Sequence, residues 1–448
     1  MDRWWRASMS TPVPTALRRL AYAGACALFV AILFAHGGPN PAEVDAKAVT
    51  EPTTALTHGD LRAAERATTV PNPPGYPLLT APLVALARPW VGSPTWCSDK
   101  PLPAVLREAP GAAFFEAIIG PCSGPGSTAT SRARPHWYQS QAVLAVLAWL
   151  ALVAGAVHLL RTARGGRDRA ELLLVVALAL LPAAADTIVE SFHPQDLLSV
   201  AGACLGLSYA LRRRWILCGL AFAAACLCKQ FALLPLLATL AAVPGWRPRA
   251  VVAGTFVLVV AVVLLPFLLV DSTDALHALT GTYVVGAGVV KAPTVLGQLA
   301  IAEQLKLEIA RDGPVLTAGA MVLVAAWRAG NRLLAPVPLI ALALAVLALR
   351  LVFEVSILNY YFLAVGTFLL LLDLAVGRPP LWAIGWIVTT RYVLAPAAGH
   401  LPAWVTASAF LALSVLPIAL GLARIPGLLG RAGAEQPEYL GATPRPLT

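Results

Sequence analysis

The sequence predicts an all-α integral membrane protein, a polytopic bundle of about twelve (ten to twelve) transmembrane helices with a long first extracytoplasmic loop. Three observations lead to this fold class. Of the 448 residues, 58% are hydrophobic and only 12% are charged, against about 25% charged in soluble domains. Long apolar segments recur along the chain, and arginines concentrate in alternate connections between them. This composition excludes a soluble multidomain enzyme, a disordered chain and a disulfide-dense secreted module.

Twelve apolar segments are candidate spans, although several are shorter than the roughly 20 residues that a straight helix needs to cross the hydrocarbon. The weakest pair would form two short helices that meet at Lys229 and Gln230, in a protein-lined or wet region where broken backbone is tolerated. The segments are 20–36, 138–160, 171–190, 197–211, 215–228, 231–243, 250–270, 315–327, 335–353, 360–376, 381–397 and 403–422.

The distribution of charge predicts the topology. With the N-terminus in the cytoplasm, the inner segments hold nineteen arginines and six acidic residues, and the other fourteen basic and seventeen acidic residues lie outside or near outer helix ends. All short basic loops therefore fall on one side, as the positive-inside rule requires. The net charge of +10 is then a topology signal, so we expect a multi-pass plasma-membrane protein with both termini inside and no nucleic-acid partner.

Pro77–Trp90 is apolar enough to suggest a span, but a crossing there would move the arginines of 161–169 to the outside. We therefore expect it to lie along or dip into the outer leaflet. The predicted divisions are a cytoplasmic N-terminus (1–19), the first transmembrane helix (20–36), an extracytoplasmic loop with juxtamembrane helices (37–137), a first transmembrane part (138–270), an extracytoplasmic loop (271–314), a second transmembrane part (315–422) and a cytoplasmic tail (423–448).

Two of the seven cysteines, Cys97 and Cys122, fall in the first external region. In an oxidising compartment such a pair favours a disulfide, and two unpaired thiols are the alternative. The other five cysteines lie in predicted spans and are interpreted as buried apolar side chains, so no metal site is assigned.

Ionisable side chains within spans are costly and are functional candidates by default. In the predicted topology most of them share the outer membrane boundary, and only Asp373 lies in a span near the inner side. We therefore expect a polar, charge-mixed cavity that faces outwards. The candidates are Asp45, Asp186, Glu190, His193, Asp196, Lys229, Arg350, Glu354, Asn359, Tyr360, Tyr361, Arg391 and Tyr392.

Several candidates also have a purely structural interpretation. Arg350 and Glu354 are one helical turn apart and would neutralise each other. His193 precedes a proline and fits a helix end, and Lys229 would reach the interface by snorkelling. Tyr360 and Tyr361 fit the aromatic belt.

Taken together, the candidates suit group transfer from a lipid phosphate. Lys229, Arg350 and Arg391 suit an anionic phosphate headgroup. Asp45, which follows the first span, suits a general base that deprotonates an acceptor hydroxyl. A histidine or a second carboxylate suits a sugar hydroxyl or a metal.

Four stretches resemble a known family. They are Pro39–Asp45 with its acid, the Pro-rich Asn72–Pro82, the run from His193-Pro-Gln-Asp196 to Gly219–Pro235 around Lys229, and Asn359–Phe362. They resemble the GT-C superfamily of polytopic glycosyltransferases, especially the bacterial mannosyl- and arabinosyl-type enzymes that use polyprenyl-phosphate sugars. The resemblance covers most of the chain in topology, and 193–235 is its most specific segment.

The resemblance implies inverting transfer of a sugar, mannose or arabinose, from a polyprenyl-phosphate donor to a cell-envelope glycolipid or glycan on the extracytoplasmic face. Asp45 would be the base, with Glu43 and Glu51 as competitors. No cofactor is required, although a divalent metal is an alternative. Lys229, Arg350 and Arg391 would bind the donor phosphate, and Glu190, His193, Asp196, Glu354, Tyr360 and Tyr361 would bind the sugar or the acceptor.

Three other functions stay open. A transporter or flippase of lipid-linked sugars would have a cavity that opens to both sides and internal symmetry, but the sequence has no visible repeat. Another outer-face lipid-phosphate transferase would pass the phosphate or the whole lipid-linked glycan to the acceptor. A structural subunit would tolerate Asp45→Asn.

Overall fold

The computed structural model describes residues 13–35, 43–67, 73–91, 135–166, 168–189, 192–270, 292–357, 359–398 and 400–428. Within these ranges the protein is helical, apart from one antiparallel pair of two-residue strands in which Ala292 faces Ile357 and Pro293 faces Ser356. The architecture is therefore all-α, as the sequence predicts.

The helices of the first half begin with a long apolar helix, continue with three shorter ones and then form an antiparallel bundle. They are α1 (Thr15–Ala35), α2 (Glu43–Thr57), α3 (Leu61–Ala67), α4 (Gly75–Val91), α5 (Pro135–Arg164), α6 (Arg169–Ala179), α7 (Pro182–Val189), α8 (Pro194–Leu211), α9 (Trp215–Cys228), a 3-10 turn (Gln230–Ala232), α10 (Leu233–Ala242) and α11 (Trp246–Val270).

The described part of the second half starts with the first of the two short strands. Near its end one helix is interrupted by a π-helical turn, and a long helix follows as the last element. Its elements are β1 (Ala292–Pro293), α12 (Val295–Gln298), α13 (Glu303–Ala329), a 3-10 turn (Gly330–Leu334), α14 (Pro336–Phe353), β2 (Ser356–Ile357), a 3-10 turn (Asn359–Tyr361), α15 (Phe362–Val376), α16 (Leu381–Val388), a π-helical turn (Thr389–Leu394), α17 (Ala395–Ala397) and α18 (Ala403–Leu422).

Among the described residues, eight helices are long and apolar enough to cross a membrane. They make this a multi-pass membrane protein. Three further apolar helices are shorter, namely Gly75–Ala87, Trp215–Cys228 and Gln230–Ala242, so the count of twelve spans stays a prediction. The eight are Thr15–Ala35, Val143–Arg164, Arg169–Val189, Trp246–Val270, Gln304–Leu334, Pro336–Phe353, Asn359–Val376 and Ala403–Leu422.

Burial separates central helices from peripheral ones. Thirteen of the 18 residues of α14 and thirteen of the 15 residues of α15 are buried, and both helices are apolar on nearly every side because they meet protein all round. In contrast, α11 leaves large apolar side chains such as Leu258 and Leu269 more than half exposed. Since soluble monomers rarely expose a continuous apolar surface, we interpret this face of α11 as the one that contacts lipid.

One end of the bundle, which we call the arginine end, carries the connections after α5 and α8. There Arg161 binds both carboxylate oxygens of the buried Glu171 at 2.5 and 2.6 Å, and the Tyr22 hydroxyl donates to the same group at 2.7 Å. This interaction joins α1, α5 and α6. At the same end the Asp373 carboxylate accepts the backbone N–H of Ala383 at 3.2 Å and so holds the start of α16.

The helices after α1 pack against the opposite end. Thr53 of α2 meets Thr80 of α4 with their hydroxyl oxygens 3.4 Å apart, and α4 contacts α5 and α9. Helix α4 contains the segment Pro77–Trp90, which the sequence predicts to be juxtamembrane, and it is not among the eight candidate spans.

Candidate functional site

Four chain connections meet at the end of the bundle opposite to the arginine end. They are the start of α8, the end of α9, the end of α14 and the 3-10 turn before α15. We call their polar and aromatic side chains the site cluster, and this end of the bundle the site end. The cluster consists of His193, Asp196, Lys229, Arg350, Glu354, Tyr360 and Tyr361.

His193 is positioned by a sharp turn before α8. The buried Phe192 has a φ of +44°, which is an outlier for an aromatic residue. The turn returns the chain so that the His193 N–H donates to the Thr187 carbonyl at 2.7 Å. Pro194 then begins the helix, where its missing N–H costs nothing. The imidazole stacks on the Tyr360 ring at 4.4 Å between centroids.

Asp196 lies in the first turn of α8 and its side chain is buried, with 3% of the residue exposed. Neither carboxylate oxygen has a hydrogen-bond partner among the described residues. The positive charges that act on the carboxylate are those of Lys229 and Arg350. A buried carboxylate is stable only when such charges or a ligand compensate its desolvation.

Lys229 lies at the break between α9 and the 3-10 turn that follows it. Its backbone is extended, with φ −158° and ψ 133°, so the helix ends there. The Ser199 hydroxyl of α8 donates to the Lys229 carbonyl at 3.4 Å. The break is at the residues that the sequence predicts, and it brings the lysine beside the first turns of α8.

Arg350 lies in the last turn of α14 and also acts electrostatically on Asp196. Its Nε donates to the Glu354 carboxylate at 2.7 Å, and its guanidinium lies 4.5 Å from the Tyr361 ring centroid and 5.1 Å from that of Phe231. The two residues therefore form the i,i+4 ion pair that their spacing predicts. The guanidinium nevertheless also acts on Asp196, so it has a second role in the cluster.

Arg391 belongs to a different contact. It lies in the π-helical turn, and its Nε is 3.0 Å from the buried Asp186 carboxylate of α7. The structure therefore brings two of the three predicted phosphate-binding cations, Lys229 and Arg350, to Asp196, and pairs the third with Asp186. Single π-helical turns often occur at functional sites, and here the turn presents the arginine to α7.

The described part of the Pro-rich element, residues 73–82, packs against the Lys229 break through Gly75 and Leu227. Gly75 begins α4, and an added Cβ there would overlap the Leu227 carbonyl. Tyr76 follows, 2% exposed, and its hydroxyl has no hydrogen-bond partner among the described residues. Tyr76 and the equally buried Gln195 are not among the residues that the sequence singles out, because a tyrosine or glutamine at this depth resembles a belt or helix-end residue.

Several predicted residues lie beyond what the structure describes. Glu190, Cys97 and Cys122 are outside the described residues, and of Asp45 only the backbone position is described. Asp45 lies near the start of α2, one and two helical turns before the buried residues Val49 and Thr53. Helix α2 contacts α4, which in turn contacts the Lys229 break. The candidate base and the site cluster are therefore linked through α4.

Comparison with family models, with curated proteins and with solved structures finds no match to this chain. The resemblance to the GT-C superfamily accordingly rests on the quoted motifs. In the described part of the chain there is also no group of three His, Cys, Asp or Glu that could hold a metal ion.

The chemistry available to the cluster follows from its contents. Two cations act on one buried carboxylate that makes no hydrogen bond among the described residues. The Tyr360 ring contacts the rings of His193 and Tyr361 in the same cluster. Cations in a poorly solvated site bind an anion more strongly than they would in water. Aromatic faces suit the apolar faces of a sugar ring or a lipid chain. The cluster is therefore suited to a ligand with an anionic group, hydroxyl groups and apolar surface.

Proposed function

We propose that the protein is a membrane glycosyltransferase of GT-C type. It transfers a sugar, with mannose or arabinose the first choice, from a polyprenyl-phosphate donor to a cell-envelope glycolipid or glycan. The observation that carries the proposal is the convergence of Lys229 and Arg350 on the partnerless carboxylate of Asp196. A lipid-linked phosphosugar fits this arrangement, because the cations suit its anionic phosphate and the carboxylate suits the hydroxyl groups of its sugar.

The positive charges of the cluster support a reaction in which the donor phosphate is the leaving group. Lys229 supplies a point charge and Arg350 a planar fork, and together they stabilise the negative charge that develops on the leaving phosphate oxygen. Arg391 lies outside the site cluster, paired with Asp186, so the proposal assigns the donor phosphate to Lys229 and Arg350. Glu354 holds the Arg350 guanidinium in position and is a positioning residue in this proposal.

The proposed step is a single displacement. The acceptor hydroxyl oxygen attacks the anomeric carbon, and the bond from that carbon to the phosphate oxygen breaks with both electrons leaving on the oxygen. Asp45 takes the hydroxyl proton. The products are the glycosylated acceptor, with inverted configuration at the anomeric carbon, and polyprenyl phosphate. His193 and Tyr360 would contact the sugar.

The test is transfer by the purified protein from a panel of polyprenyl-phosphate sugars, with membrane glycolipids as acceptors. We expect release of polyprenyl phosphate and labelled acceptor with the wild type. Asp45→Asn should be slower by about 10²–10⁴-fold, the usual contribution of a general base. No release from any donor would contradict the function. Equal rates for the two proteins would be consistent with the proposed function but would show that Asp45 is not the base, which would then be Glu43 or Glu51.

A further inference from the structure

Three buried side chains near the Lys229 break carry polar atoms that make no hydrogen bond within the described residues. They are the Tyr76 hydroxyl, both amide atoms of Gln195 and both carboxylate oxygens of Asp196. Buried polar groups are paired in most native structures, and each exception calls for an explanation. The other buried carboxylates of the described chain do have partners, namely Asp168, Glu171, Asp186 and Asp373.

These atoms belong to two elements that meet at one place. Gly75, the neighbour of Tyr76, contacts Leu227 closely, and Ser199, one turn after Gln195 and Asp196, bonds to Lys229. Tyr76 and Asp196 also both lie within electrostatic reach of the Cys228 side chain. The Pro-rich element and the first turn of α8 therefore bring their partnerless polar groups to the same end of α9.

The donor and acceptor types of these groups indicate the ligand. A phenol donates and accepts, a carboxylate accepts, and an amide does both, which matches the hydroxyl groups of a sugar. The acceptor oxygens of Asp196 match sugar hydroxyl groups, whereas a phosphate is matched by the donor groups of Lys229 and Arg350. A sugar attached to that phosphate would reach the partnerless groups directly.

We propose that Tyr76, Asp196 and Gln195 form the subsite that binds the hydroxyl groups of the donor sugar, an inference that rests on the proposed function. Tyr76 and Gln195 are then sugar-binding residues that add to those expected from the sequence. Because the three side chains are buried, binding of the sugar requires neighbouring side chains to move aside.

The test uses Tyr76→Phe, which removes the hydroxyl and keeps the ring. Its matched control is Tyr22→Phe at the arginine end, where the hydroxyl donates to Glu171 at 2.7 Å. Each protein is purified, and two quantities are measured: the Tm without ligand, and the dissociation constant of mannosyl- and arabinosyl-phosphoryl-polyprenol compared with that of polyprenyl phosphate alone.

We expect Tyr76→Phe to have a Tm equal to or above that of the wild type, because a buried hydroxyl without a partner is removed. Its affinity for the preferred sugar donor should fall by about tenfold, the loss of one hydrogen bond, while its affinity for polyprenyl phosphate stays unchanged. Tyr22→Phe should do the opposite, with a lower Tm and unchanged affinity for both ligands.

A lower Tm for Tyr76→Phe, or an unchanged affinity for the sugar donor, would overturn the subsite, since either result assigns the hydroxyl a structural role or none. A wild type that binds no sugar donor more tightly than polyprenyl phosphate would overturn the subsite as well. A wild type that binds neither ligand would contradict the proposed function itself, and that result is distinct from the other two.

Discussion

At the scale of single residues, the buried carboxylates differ in whether they have hydrogen-bond partners. Glu171 is bound by Arg161 and Tyr22, and Asp373 accepts the N–H of Ala383. Both carboxylates have direct hydrogen-bonding partners and act in folding. Asp196 is as buried as they are and has only the more distant charges of Lys229 and Arg350. An acid kept in this state suits ligand binding better than structural support.

The pairing of Arg391 with Asp186 predicts energetic coupling between these two residues. Removal of one partner leaves a buried charge uncompensated, so Asp186→Asn and Arg391→Gln should each destabilise the protein, and the double variant should cost less than their sum. We expect a coupling energy of about 1–2 kcal/mol, measured from the free energy of unfolding in detergent. Affinity for polyprenyl phosphate should be unchanged in folded Arg391→Gln.

The exposed pair Arg311 and Asp312 provides the control for this cycle. The same substitutions there should show no measurable coupling, because solvent screens an exposed ion pair. If the destabilisations caused by the two substitutions were strictly additive, and Arg391→Gln also lost affinity for polyprenyl phosphate, the result would indicate that Arg391 binds the phosphate.

The sequence predicts part of the site cluster for a clear physical reason. In antiparallel helices the ionisable residues at alternate connections share one end, so Asp196, Lys229 and Arg350 can be grouped from the topology alone. Which helix faces which neighbour depends on rotation about the helix axis and on local breaks such as the π-helical turn. The contact of Arg391 with Asp186 and the burial of Tyr76 therefore could not be predicted.

At the scale of elements, the start of α4 is fixed by one glycine. An added Cβ at Gly75 would overlap backbone and side-chain atoms of Leu227. Backbone that approaches this closely leaves room only for glycine. The contact joins the Pro-rich element to the break that carries Lys229, so α4 and the site cluster are coupled.

Gly75→Ala should therefore disturb both stability and the site. Overpacking of this kind costs about 1–3 kcal/mol, and the displaced start of α4 should also weaken binding of the sugar donor. Unfolding and donor titration would measure the two effects. The control is Gly254→Ala in the middle of α11, where an added Cβ meets open space and should be neutral or slightly stabilising. Equal stability and equal donor affinity of the two variants would contradict the close contact of Gly75 with Leu227.

At the scale of the whole molecule, the two ends differ in their chemistry. The arginine end holds Arg161, Arg164 and the run Arg212–Arg214, while the site end holds the cluster around Asp196. Composition and charge are sufficient to predict a helical membrane protein, because the hydrophobic run and the positive-inside bias are local properties of sequence. The number of spans is less easily predicted, since several helices are too short to cross by themselves.

The predicted topology places the arginine end in the cytoplasm and the site end outside. A cysteine at Arg213, between α8 and α9, should resist a membrane-impermeant maleimide in intact cells. A cysteine at Leu299, after α12, should react. Both positions are exposed, and the unsubstituted protein supplies the background. The reverse pattern would place the site cluster on the cytoplasmic side and contradict transfer on the outer face.

The measurement that tests the central claim most directly is binding of polyprenyl phosphate to the purified protein. The comparison is between the wild type, Lys229→Met, and Lys306→Met as the control. Lys306 is a buried lysine whose Nζ donates to the Gly297 carbonyl at 3.1 Å, and it is not part of the cluster.

We predict that the wild type and Lys306→Met bind the lipid phosphate equally. Lys229→Met should bind it at least about tenfold more weakly, as expected for the loss of a charge-assisted hydrogen bond. Equal binding by all three proteins, or no binding by the wild type, would contradict the claim that the cluster around Asp196 is a site for a lipid-linked phosphate.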